Sequence, residues 1–278
     1  MYILRFSLRA LNAGGIPWFT GHETRAGFLD LVRKGNEELA GELHDTKGIY
    51  SLKALTFKSK SKIVWKSKTR IPGYGIVRPI DAGILYEEGA LGEFQVTLYK
   101  PEILTKLVTA LSHGIRGTIK IHMAEFKVEE LNIEAINTDQ ILEDAKPLNS
   151  LDLYFISPTY FNPPGGGNYK IIYPHIPSLL KSLTNTLAHV TNAKPDLEKL
   201  TDKIFLSGID IRTPSNKNPE TPTPQGFLGW TRLRLDQLDK EEQKLIVAAL
   251  MISEYTGVGG NRTGGYGEIK IKYRKLSD

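Results

Sequence analysis

Hydrophobic spacing along this chain switches between a period of two and a period of three to four, and it does so twice in the same order. Tyr2–Leu11 alternates, with Phe6 and Leu8 on one face. Phe28, Leu31 and Val32 then recur at helical spacing from a start near Gly21, and Leu39 and Leu43 continue that face past a break at Gly35–Asn36. Alternating runs follow at 51–60, 62–70, 75–85 and 92–99. A second helix opens at Pro101, where a missing N–H costs nothing, and Thr118–Val128 reads as a closing strand. The second half repeats the order. Leu151–Pro158 is a strand, and Leu179, Leu180, Leu183 and Leu187 stripe a helix. Strands at 204–211 and 227–235 precede a helix that Asp239 and Glu242 begin at capping-box spacing, and 268–275 is the last strand. Two β-α-β-β-α-β units in series predict an α+β protein of two tandem ferredoxin-like (RRM-like) domains. A length of 278 residues suits two domains better than one. The expected boundaries are 1–130 and 151–278, with the acidic, weakly patterned 131–150 as a link. The halves share a pattern and no visible sequence identity.

Charge narrows the function. The net charge is +5, but Gly48–Arg78 holds eight basic residues and no acidic one, which leaves the rest of the chain at −3. A basic face on a slightly acidic protein points to a polyanion, with a lysine-rich solvated hairpin as the plain alternative. Lys58, Lys60 and Lys62, then Lys66, Lys68 and Arg70, recur at period two and are expected on strand faces as RNA contacts. Tyr50, Trp65 and Tyr74 are interleaved for base stacking. Arg232 and Arg234 form a similar pair in the second half. The chain has no cysteine, which excludes disulfides, thiol catalysis, iron–sulfur clusters and cysteine-ligated zinc. No apolar run reaches a membrane span, and the N-terminal residues read as a strand rather than a signal peptide. A cytoplasmic protein is expected.

The most distinctive segment is Gly257–Gly267 (GVGGNRTGGYG), six glycines in eleven residues between the last helix and the last strand. It lacks the Gly-Lys-Ser/Thr ending of a phosphate-binding P-loop. Its helix-then-strand setting is also the reverse of a dinucleotide fingerprint. Glycines at 259 and 265 allow close backbone approach, and exposed N–H groups in series make an anion nest. Arg262, with no partner implied by its spacing, is read as an exposed phosphate contact of little weight in folding, and Tyr266 as a further RNA contact.

This run is similar to the C-terminal signature of the CRISPR-associated RAMP proteins. It resembles most the endoribonuclease that cuts CRISPR precursor RNA, the Cas family numbered six. The signature is Gly-hydrophobic-Gly, five residues with one basic, then Gly-hydrophobic-Gly, and it is matched at Gly257, Val258, Gly259, Arg262, Gly265, Tyr266 and Gly267. Trp18–His22 with Arg25 and Phe28-Leu29 resembles the start of that family's first helix. Glu42–Asp45 with Lys47-Gly48 resembles its Leu-His-acid segment, and Phe155–Thr159 the opening of its second domain. The resemblance implies tandem ferredoxin-like domains. It also implies a catalytic histidine in the Leu-His segment with a lysine a few positions on, here His44 and Lys47. A tyrosine that some members carry on the first helix stands here as Leu29, and Tyr50 is the candidate replacement.

The residues permit such chemistry without a cofactor. RNA is cut when its own 2′-OH attacks the adjacent phosphate. That requires a base, an acid for the leaving 5′-oxygen and positive charge at the phosphorane. Histidine serves either proton role near neutral pH. None of the six histidines falls in a metal-binding spacing, and no metal is expected. His44 is the first candidate, against the plain alternative of a histidine at a helix C-terminus, and His22 is the second, against a local capping role. His113, His122, His175 and His189 read as structural. The expectation is a metal-independent endoribonuclease for CRISPR repeat RNA, with an effector complex as a further partner and a homodimer left open. The rivals are a non-catalytic RAMP subunit that binds guide RNA and a housekeeping RNA-binding protein of the same fold.

Overall fold

The structure, a computed structural model, describes residues 1–46, 48–70, 77–115, 117–163, 165–191, 195–214 and 225–273, without the side chains of 63–70 and 77–82. Two ferredoxin-like units follow one another. The first runs β1 (Tyr2–Ala10), β2 (Gly14–Pro17), α1 (Gly21–Gly35), α2 (Glu37–Asp45), β3 (Tyr50–Phe57), β4 (Ser61–Arg70), β5 (Val77–Tyr86), β6 (Leu91–Leu98), α3 (Leu104–Gly114), β7 (Thr118–Ile121) and β8 (Ala124–Ala135). The second runs α4 (Thr138–Asp144), β9 (Ser150–Thr159), α5 (Ile176–Val190), β10 (Phe205–Arg212), β11 (Phe227–Arg234), α6 (Lys240–Thr256) and β12 (Ile269–Tyr273).

The two principal sheets have orders β3-β6-β1-β8-β7 and β10-β11-β9-β12. Without the added edge strand β7, both show the same arrangement. The first strand of each unit is central and antiparallel to the third and fourth. These central strands supply the core because both their neighbours and the helices cover them. Ile3, Leu4, Phe6 and Leu8 are fully buried in one unit, Leu151, Leu153 and Phe155 in the other. Phe6 stacks on Phe94 of β6 with ring centroids 4.4 Å apart and meets Phe28 of α1 edge-on. The stripe read from the sequence on α5, Leu179, Leu180, Leu183 and Leu187, faces inward, and Leu107, Ala110 and Leu111 of α3 are buried in the same way.

One strand is added to the pattern, and two local expectations are corrected. Gly14–Pro17 is a short strand that pairs with Gly83–Tyr86. The basic stretch is divided between sheets: β3 pairs with β6, whereas β4 pairs with β5 in a separate sheet of order β2-β5-β4. The hairpin is therefore β4–β5, its register irregular between Trp65 and Lys68, with Lys58 and Lys60 at the junction before it. The segment 131–150, expected as a link, instead carries the end of β8 and all of α4. β8 continues to Ala135 because β1 pairs with it along its length, and outward Arg5 and Arg9 meet Glu134 and Glu129 there. Asn137 caps α4 by accepting from the N–H groups of Asp139 and Gln140. Among the described residues no helix is long and apolar enough to cross a membrane.

The capping box at α6 forms as its spacing predicts. Asp239 accepts from the Glu242 N–H at 2.8 Å, and the Glu242 carboxylate accepts from the Asp239 N–H at 3.1 Å. Asp239→Ala should lower the unfolding free energy of the second domain by about 1 kcal/mol. Asp239→Asn should be nearly neutral, since it keeps the acceptor. Urea titrations followed by circular dichroism test this, and equal midpoints for the two variants would contradict it.

Candidate RNA-cleavage site at the domain junction

α1 and α2 are separate helices because Asn36, in an extended conformation, ends one and caps the other by accepting from the Leu39 N–H. Leu39 and Leu43 anchor α2, and its last turn projects His44 outward with 61% of the side chain exposed. His44 Nδ1 lies 2.7 Å from the Asp45 carboxylate. A proton on Nδ1 donated to Asp45 leaves Nε2 toward solvent, the tautomer a general base needs. From α1, the Arg25 guanidinium donates to the His44 carbonyl at 2.9 Å and to the Tyr50 hydroxyl at 3.2 Å. Arg25 thus ties the end of α2 to the start of β3.

Tyr50 does not meet RNA directly. It is 1% exposed and packs on Phe28, because the inward face of β3 carries it into the core. Burial pushes its phenol above the usual range, against the opposing pull of Arg25. Its contribution to the site is to hold Arg25. Lys47 lies outside the described residues. Lys53 sits under the junction, its ammonium lowered by burial while Glu268, 3.6 Å away, opposes the shift.

His22, in the first turn of α1, faces the glycine-rich segment. Its ring meets Tyr266 edge-on at 5.7 Å, and its Nε2 lies 3.5 Å from the Asn261 amide. Tyr266 is 6% exposed and is enclosed by Phe19, His22 and Tyr160. Burial, with Tyr160 and Glu23 nearby, pushes its hydroxyl up to about 12. The expectation of Tyr266 as an RNA contact is corrected: the ring is a peg between domains.

The anion nest is corrected in the same way. The N–H of Gly259 donates to Ser182 Oγ, that of Gly260 to the Tyr160 carbonyl and that of Gly267 to the Pro158 carbonyl. The Gly264 and Gly265 N–H groups bond within the turn that Arg262–Gly264 forms. These donors fix the loop rather than await phosphate. Arg262 also has partners. It donates to Thr186 Oγ1 on α5 at 2.8 Å, and its guanidinium carbon lies 5.7 Å from the centre of the Tyr99 ring in the first domain.

Other expected contacts divide. Arg232 makes a bidentate pair with Asp152 across β11–β9 and stacks on Trp230. Arg234 pairs with Asp236, and Lys58 with Glu93. Carboxylates compete with RNA at all three. Lys60 is exposed, at the turn into β4. Lys66, Lys68 and Arg70 lie on β4, with side chains outside those described. Among the described residues no three His, Asp or Glu side chains converge to hold a metal. Arg25 is the site residue that role assignment from sequence missed. Its signal was position, three residues after His22 and so on the same face of α1.

Two tandem ferredoxin-like domains thus meet at a glycine-rich loop, and an exposed histidine ends α2 of the first. The family model of CRISPR-associated endoribonuclease Cas6 matches residues 153–269, within the second ferredoxin-like unit and the glycine-rich loop. The whole chain has the fold of solved Cas6 structures. A Cas6 product complex shares 20% identity at a TM-score of 0.65, covering 98% of this chain and 100% of the other. Thermus thermophilus Cas6 shares 16% at 0.64, covering 98% of each. A Cas6-related protein from Pyrococcus furiosus shares 16% at 0.56, covering 98% and 99%. No curated protein matches the chain in sequence.

The clasp itself is testable. A Cβ on Gly21 would strike the Gly264 carbonyl, and one on Gly265, at φ +79°, would meet the Gly21 Cα at 3.0 Å. Gly265→Ala should cost more than about 1 kcal/mol, and Gly21→Ala a comparable amount. Gly41→Ala, on the open face of α2 with nothing within 4 Å, should add about 0.5–1 kcal/mol. Thermal melting of the three variants is the check, and equal shifts in all three would refute the clasp.

Proposed function

We propose that this protein is a metal-independent endoribonuclease that cuts CRISPR repeat RNA. The RNA 2′-OH attacks the adjacent phosphate, and the products are a 2′,3′-cyclic phosphate and a 5′-OH. The carrying observation is an exposed His44, oriented by Asp45 and fixed through its own carbonyl by Arg25, at the junction of two RNA-binding-type domains. The Cas6 family model on the second half supports the reading. So do the solved neighbours of the same fold, one titled a product complex, another a substrate-mimic complex.

In this mechanism His44 Nε2 exchanges the proton of the 2′-OH or the 5′-oxygen, and Asp45 stabilises the imidazolium that forms. His22 serves as a second, weaker proton group. Lys47 and the β4 cations Lys66, Lys68 and Arg70 supply positive charge and phosphate grip, with Lys60 exposed beside them. Tyr50 and Arg25 are positioning residues. Arg232, Arg234, Gly259 and Gly265 shape the RNA surface, the arginines through their carboxylate pairs. The repeat RNA is the partner, and delivery of the product to an effector complex is part of the proposal.

His44→Ala should slow single-turnover cleavage roughly 10²- to 10⁴-fold with little change in affinity, and His22→Ala less. Cleavage should persist in excess EDTA, and one 2′-deoxy nucleotide before the scissile phosphate should abolish it while binding survives. Loss of activity on chelation, or wild-type rates in both histidine variants, would sink the mechanism.

A positioning role for Arg25 has its own signature. Loss of a charge-assisted bond worth about 1.5–3 kcal/mol should make Arg25→Ala about tenfold slower or more in the chemical step. RNA affinity should hold, and Arg25→Lys should rescue little, because one ammonium does not span both acceptors. Full rescue by lysine would show that only the charge matters.

A further inference from the structure

The cluster where the glycine-rich loop passes the end of β6 is assigned no role by the proton chemistry above. Lys100 follows β6 in the first domain, His189 lies in the last turn of α5, and Arg262 lies in the loop. The last two gather on Tyr99. The His189 ring stacks on it at 6.0 Å and 18°, and the Arg262 guanidinium lies over it at 5.7 Å. Tyr99 is 3% exposed, and its hydroxyl donates to the Thr256 carbonyl. His189 and Lys100 are exposed, and Arg262 is half-buried. The backbone of Gly48 lies against the imidazole edge. A Cβ there would come within 2.6 Å of His189 Cε1 and 2.8 Å of Nε2, and φ at Gly48 is +73°. The turn that leads from His44 to Tyr50 therefore rests on His189.

Charge at this place is one-sided. Among the described residues no carboxylate forms an ion pair with Lys100, His189 or Arg262. Burial, then Arg262, then Lys100 hold the His189 imidazole below its ordinary range. Like charges without a counter-ion are unfavourable in the free protein, and an anion lodged among them relieves that. Arg262 spends one N–H on Thr186 and has five in its fork.

We propose that Lys100, His189 and Arg262 form a phosphate seat across the two domains, and that it holds a backbone phosphate of the RNA next to the segment that carries His44. The seat rests on the RNA-processing reading and adds its missing grip. The strand is fixed by cations from both domains, so a phosphate placed there also holds the α2–β3 turn against α5. His189, read from the sequence as structural, thereby becomes a substrate-positioning residue.

The test follows the His189 imidazole proton by NMR across pH, in the free protein and with a repeat RNA from the same genome blocked by one 2′-deoxy nucleotide. A neighbouring phosphate favours the imidazolium, so the pKa should rise by about one unit or more on binding. Lys100→Gln should weaken RNA binding about 5- to 10-fold and flatten the salt slope by about 0.7–0.9, with the melting temperature unchanged because its side chain is exposed. His189→Gln should lose the acid-side strengthening of affinity that wild type shows. If wild type binds the RNA while the His189 pKa stays fixed, or Lys100→Gln keeps the wild-type salt slope, the seat is overturned. If wild type fails to bind the RNA at all, the RNA-processing reading falls first and takes the seat with it.

Discussion

Backbone lies on backbone where the Gly264–Gly265 turn meets the first residue of α1, and the site depends on that contact. A side chain on Gly21 or Gly265 would separate the two domains, since carbonyl and Cα already occupy the space. With the surfaces so close, Tyr266 is enclosed by Phe19, His22 and Tyr160, and Arg262 reaches from the loop to Thr186 and Tyr99. Thr97 Oγ1 closes the same seam by donating to the Tyr255 carbonyl at 2.8 Å. The glycine-rich segment thus acts first as a joint. Its influence on chemistry runs through what the joint holds in place, chiefly the first turn of α1 and the turn that follows α2.

Cations in this molecule fall into two populations. Arg5, Arg9, Arg232, Arg234 and Lys58 are matched by carboxylates across strands or along the chain, which lowers their value to an incoming phosphate. His189 and Arg262 are gathered by packing on the Tyr99 ring, Lys100 follows that ring in the chain, and no carboxylate forms an ion pair with any of the three among the described residues. If the proposed seat takes a phosphate, that difference decides where a polyanion lies more than the number of basic residues does.

Much of the fold was legible, because helix stripes and central strands are burial patterns written directly into residue order. Asp239 and Glu242 announced a helix start that the structure contains, and the two β-α-β-β-α-β orders gave the topology. The end of β8 was missed because its residues past Val128 are mostly exposed at a sheet margin, so no apolar alternation marks them. The division of the basic stretch was missed because alternation does not say which sheet a strand joins. At the candidate site, His44 was singled out by the resemblance of its Leu-His-acid segment, and its exposure at the end of α2 follows from Leu39 and Leu43 turning the other face inward. Arg25 bridging to a carbonyl, Tyr50 turning inward and Arg262 finding Thr186 were not legible, since each depends on residues 19 to 76 positions away.

The loop that joins the domains is encoded near the end of the chain, after every strand but β12. During synthesis the first domain, with its histidine and most of its positive charge, emerges long before the loop exists. N-terminal domains generally fold as units while the rest is being made. A nascent first domain would hold α2 and β3 without the support of Tyr266, Arg262 or His189. The order of the elements therefore places the loop that supports the α2–β3 region after the region it supports.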